Sequence, residues 1–195
     1  MIVSLWRIPA DELPGWPLPL HCRPWITRGR STLITFWVDY RGESVIAYHE
    51  FLIAQVIRHG RRLTASAVAA WVDDERALHG GRVLWGVPKE LATIILQTDA
   101  SRTDAELFSA GSLLVRAVHR TGLLLPLRVP ARAHLVQQLP DGATCRVSME
   151  IRGRPGVGRT RVMAVPSALT AFLQGRRPRL SLTVHSFRGT FGRDS

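Results

Sequence analysis

Short runs of β-branched and aromatic residues, broken by polar, glycine or proline positions, dominate this chain. Residues 32–40, TLITFWVDY, are the clearest such run and predict a strand. Residues 1–7 predict another, ended by Pro9. Four prolines between residues 10 and 24 predict a loop or a single helical turn. A hairpin turn is expected at 41–43, a long strand at 44–58, a polar turn at 58–62 and a further strand at 63–72. Residues 73–79, DDERALH, read as a short helix with acids in its first turn and Gly80-Gly81 as its stop. Strands are expected at 91–97, 105–108, 113–119, 133–138, 144–152, 159–165 and 180–187, with a short helix at 166–174.

This order of elements suggests an α+β protein of mainly antiparallel β structure, a barrel or sandwich carrying a few short helices. Its 195 residues suit one domain, 1–195, and are 46% hydrophobic. No apolar run approaches a membrane span. The opening MIVSLWRIPADEL lacks the basic and apolar regions of a signal peptide, so a cytoplasmic protein is expected. Cys22 and Cys145 form no metal pattern and read as free thiols.

The net charge of +11 taken alone suggests an acidic partner. Of the 26 basic residues, however, all but Lys89 are arginine, and they are scattered. The densest group, Arg176, Arg177 and Arg179, has no nucleic-acid recognition pattern beside it and reads as a solvated loop. No nucleic-acid partner is therefore expected. The bias makes Lys89 informative. Arginine replaces lysine as a surface charge but not as an amine that must lose its proton.

Residues 153–160, GRPGVGRT, imitate a phosphate-binding loop with Arg159 where lysine is required. The β-like residues on both sides predict a hairpin instead. The seven histidines never fall at zinc-ligand spacing, and no metal or cofactor is expected. No serine stands in a nucleophile elbow. His49 is noted because it neighbours Glu50.

Residues 81–92, GRVLWGVPKELA, resemble the hallmark segment of the acetoacetate decarboxylase family: a Gly-Arg pair, an apolar stretch, then Pro-Lys. Upstream, Tyr48-His49-Glu50 resembles that family's tyrosine followed two residues later by an acid. The resemblance implies a closed, cone-like barrel or double sheet and a homo-oligomer. It implies Lys89 as the amine that forms an imine with a carbonyl substrate, and Glu50 as the acid of the cavity. Tyr48, Arg82, Trp85 and Thr35 are the expected substrate-binding positions. Val83, Leu84 and Val87 join Trp85 as an expected apolar wall. The expected function is a Schiff-base enzyme, decarboxylase-like, acting on a keto acid or another carbonyl compound. The alternative is a non-catalytic small-molecule binder on the same barrel, and after it, less favoured, a basic nucleic-acid-binding protein.

Three positions depart from the family pattern. Glu90 stands where the decarboxylases usually have a second lysine, and an anion there would oppose activation if it were close. Adjacent side chains of an extended segment point apart, which would take Glu90 off the site. Thr35 stands where they have a second acid. Their substrate-handling arginine has no counterpart ahead of the first strand; Arg7, Arg23 and Arg28 are the candidates to replace it. The demand on a nucleophilic lysine is large. Bringing an amine of pKa near 10.4 to neutrality costs about 4–5 kcal/mol.

Overall fold

An extended backbone sends successive side chains to opposite faces, and the first strand, Ile2–Pro9 (β1), is buried at every second residue. The computed structural model describes residues 1–41, 45–165 and 169–193. After β1 come Cys22–Pro24 (β2), Ile26–Thr27 (β3), Arg30–Tyr40 (β4), Tyr48–His59 (β5) and Arg62–Val72 (β6). One α-helix, Glu75–Trp85 (α1), leads to Lys89–Leu91 (β7). Then follow Thr93–Asp99 (β8), Arg102–Ser109 (β9), Ser112–Leu124 (β10), Val129–Gln138 (β11), Thr144–Ala164 (β12) and Leu180–Arg193 (β13). The expected α+β class, mainly antiparallel β with few helices, holds.

The strands lie side by side in the order β11-β6-β5-β4-β1-β13-β12-β10-β9-β8. β12 also pairs with β11, which closes the first seven strands into a ring. Only the pairs β6–β7 and β6–β11 are parallel among the described residues. The first parallel pair follows from α1, which carries the chain back so that β7 runs beside β6. One core cluster joins Trp6, Trp37, Phe51 and Trp71 of the ring to Ile94, Leu107 and Val115 of β8, β9 and β10. A second lies among Ala67 and Ala70 of β6, Val87, Leu135 of β11 and Val147 of β12.

Several sequence expectations are corrected here. Residues 153–160 form no hairpin; they lie inside the 21-residue strand β12. Its glycines answer close neighbours, not a turn. A Cβ on Gly153 would stand 2.4 Å from Val184 Cγ1, and one on Gly158 would stand 2.3 Å from the Arg120 carbonyl oxygen. Gly80-Gly81 does not stop the helix, which runs to Trp85. The stop is Gly86, which adopts the left-handed conformation (φ 62°) and donates to the Arg82 carbonyl at 3.2 Å. The run expected at 91–97 is two elements, β7 and β8, that part at Ala92. The long strand after the first hairpin begins at Tyr48, four residues later than expected. Residues 42–44, with most of that hairpin, and 166–168 of the expected second helix lie outside the described residues. Of that helix, Ala171–Leu173 forms a 3-10 turn.

Candidate functional site

Asp74 caps α1 by accepting from the backbone N–H groups of Arg76 and Ala77, at 2.8 and 3.1 Å. Gly86 then turns the chain sharply, and no side chain would fit there: its Cβ would stand 2.2 Å from the Gln138 carbonyl oxygen. Beyond the turn, Ala70 N–H donates to the Pro88 carbonyl at 3.3 Å, and Lys89 comes to lie beside Ala70 in the parallel register. Arg82 fastens this arrangement by donating from Nε to the Lys89 carbonyl at 2.7 Å. Its place is therefore on the lysine's backbone.

Strand register decides which side chains meet. Val38 of β4, Glu50 of β5 and Val72 of β6 are cross-strand partners, as are Tyr40 and Tyr48. All five share one face with Lys89, because Lys89 partners Ala70 and Ala70 partners Leu52, two residues from Glu50. Lys89 Nζ lies 2.8 Å from Glu50 Oε1, and both side chains are buried, 7% and 6% exposed. Among the described residues no hydrogen-bond donor is aligned on Oε1, so the ammonium charge is its compensation. Nζ also stands 5.1 Å from the centre of the Tyr48 ring, within cation–π range.

The lysine stem needs space, and Gly81 supplies it. A Cβ on Gly81 would stand 2.4 Å from Lys89 Cδ and 2.5 Å from Cε. The second glycine of the Gly-Gly pair is thus a recess in the helix that the lysine fills. Val87 is buried in the second core cluster, and Trp85 and Leu52 each pack against that cluster. Val83 and Leu84 point outward, 62% and 52% exposed, and form no wall.

Tyr40 completes the constellation and was not legible in the sequence. Its hydroxyl donates to Glu50 Oε2 at 3.2 Å, and its ring stacks on Tyr48 at 4.4 Å. Burial first, then the charge of Glu50, holds the Tyr40 phenol well above the usual range, so it keeps its proton. Burial, followed by Glu50, does the same for Tyr48.

Thr35 does not join them. It lies three residues from Val38, hence on the opposite face of β4, and accepts from Trp6 Nε1 at 3.0 Å. Glu90 partners Trp71 on the face away from the lysine and is exposed. His49 also faces away from Glu50 and lies 2.7 Å from Asp73. Among the described residues no group of three metal-binding side chains occurs. A cleft of about 710 Å³, lined by Trp37, Asp39, Tyr40, Thr103 and His185 among others, borders the lysine's surroundings only at Tyr40.

The fold is thus a β-sheet ring that holds a buried lysine–carboxylate pair, the lysine reached through the turn Gly86-Val87-Pro88 at the end of α1. The family model described as Acetoacetate decarboxylase (ADC) matches residues 19–185, and the chain belongs to that family. Solved structures share the fold. An acetoacetate decarboxylase superposes with a TM-score of 0.62 at 16% identity, covering 98% of this chain and 83% of its own. An acetoacetate decarboxylase-like enzyme from Sphingomonas wittichii RW1 gives 0.62 at 17% identity, covering 97% and 87%. The enduracididine biosynthesis enzyme MppR, complexed with the condensation product of pyruvate and imidazole 4-carboxaldehyde, gives 0.61 at 17% identity, covering 96% and 85%. No curated protein sequence matches the chain.

Proposed function

We propose that this protein is an enzyme that forms an imine between Lys89 and a small carbonyl substrate, with Glu50 carrying the protons. The observation behind this reading is the 2.8 Å contact between Nζ and Oε1 of two buried side chains. Glu50 takes a proton from the ammonium, which frees the nitrogen lone pair. Nζ attacks the carbonyl carbon; the π pair moves to oxygen, which is protonated and leaves as water. The net change is ammonium plus carbonyl giving protonated imine plus water, with Glu50 ionised again. The imine then withdraws electrons from the neighbouring bond, which serves decarboxylation, aldol, dehydration or cyclisation chemistry. That a structural neighbour is described with a carbonyl condensation product bound supports chemistry of this kind.

Tyr40 acts as a positioning residue. It holds the second oxygen of Glu50 and leaves the first for the lysine. Borohydride reduction in the presence of a panel of aldehydes, ketones and keto acids tests the proposal. Peptide mass spectrometry should place a reduced adduct on Lys89, and Lys89→Arg should lose it. Absence of any adduct while a ligand still binds would turn the reading toward a non-catalytic binder.

A further inference from the structure

A second cleft, of about 600 Å³, opens where β6 and β11 meet. Neither Lys89 nor Glu50 lines it, so it is separate from the amine site. Among the described residues these two strands share one register pair, Leu135 with Ala65. Beside that pair, Thr64 Oγ1 donates to the His134 carbonyl at 2.9 Å, a side-chain tie in place of a ladder bond. The ring is thinly closed here, and the cleft lies at this closure.

Its floor is apolar. Val136 and Cys145 are buried there, and Ile34 and Val56 are half-buried. Its rim is cationic: Arg62, Arg132 and Arg146 line it, and all three are exposed. Arg146 is the cross-strand partner of Val136, so its side chain leaves the sheet on the same face as that floor residue. No carboxylate lies among the described lining residues. Glu150, outside the lining, lies 3.3 Å from Arg132. Like charges gathered round an apolar recess repel one another, and an anion relieves that repulsion when it binds.

The two surfaces ask for different chemistry. A bare anion would leave the floor uncovered, and a hydrocarbon would leave the arginines without a counter-charge. A molecule with an apolar body and one anionic head answers both, and the cleft has the volume of a small-molecule site. A nucleic-acid strand fits less well, because no tryptophan, tyrosine or phenylalanine lines the cleft for a base to stack on.

We propose that this cleft binds an amphipathic anion, a carboxylate on an aliphatic chain. The chain covers Val136, Cys145, Ile34 and Val56, and the head meets Arg62 and Arg146.

The test uses two fluorescent probes that share one aromatic body, anilinonaphthalene sulfonate and the uncharged phenylnaphthylamine. Titrated into the whole protein, the sulfonate should bind at least about tenfold more tightly. Decanoate should displace it, and inorganic phosphate at the same concentration should not. Arg62→Ala combined with Arg146→Ala should weaken the sulfonate at least about tenfold and leave phenylnaphthylamine within about twofold. Ala133→Glu places a carboxylate on the exposed part of the lining and should also weaken the sulfonate. All three positions are exposed, so circular dichroism of both variants should match the parent. Equal binding of the two probes overturns the proposal. So does displacement by phosphate or a single-stranded oligonucleotide as readily as by decanoate. A sulfonate affinity that neither folded variant changes overturns it as well.

Discussion

Gly81 and Lys89 are best understood as one object, a side chain and the space cut for it. Gly81→Ala should favour the helix intrinsically, by about 1 kcal/mol, yet push the lysine off Glu50. The helix gain does not offset a broken buried pair, so the thermal midpoint should fall, and the rate of borohydride trapping should fall at least about tenfold. The ion pair itself carries a sharper expectation. Lys89→Met leaves Glu50 buried without its partner and should cost about 3–5 kcal/mol in urea denaturation, whereas adding Glu50→Leu should recover most of that loss. Lysine and acid were legible in the sequence because their types are chemically distinctive and sit in a motif. Tyr40 was not, because only the pairing of β4 with β5 brings it opposite Tyr48. Thr35 shows the same lesson reversed. The family resemblance puts it where the decarboxylases have a second acid, but an odd offset from Val38 turns it to the other face.

Glycine was the hardest residue to interpret at the level of elements. The same type ends α1 at Gly86, hollows it at Gly81 and lets strands close up at Gly158. Only the neighbour distinguishes these roles, and sequence does not show the neighbour. Strand positions were largely legible from β-branched and aromatic runs; the glycine-rich stretch of β12 was misjudged because glycines between β-like flanks also describe a turn. Gly158→Ala separates the two descriptions. A Cβ there meets backbone, the Arg120 carbonyl oxygen, so β10 and β12 must part; a loss of about 1–3 kcal/mol is expected. Gly192→Ala, where nothing lies within 4 Å, should fall within about 0.5 kcal/mol of the parent in the same denaturation assay.

For the whole molecule, strand order was beyond the sequence, since it rests on pairings between distant segments such as β1 with β13. The polar interior between the ring and the outer strands was equally hidden. His119 is fully buried there, with Nδ1 2.9 Å from Thr160 Oγ1. Burial first, then the nearby His185 and the N-terminal amine, lowers its pKa to about 4. An unfolded histidine titrates near 6.5. Its contribution to stability is therefore complete above about 6.5 and is lost as the pH falls toward 4. Urea midpoints at pH 7.5 and pH 5 should differ more for the parent than for His119→Gln. Strand β12 has a further consequence, for synthesis. β10 is complete at residue 124, yet its partner segment, residues 156–164, is translated only after β11. A nascent chain halted inside β12 would display uncapped sheet edges on β10 and β11 together, so this is the stage at which a ribosome-bound chaperone would matter most.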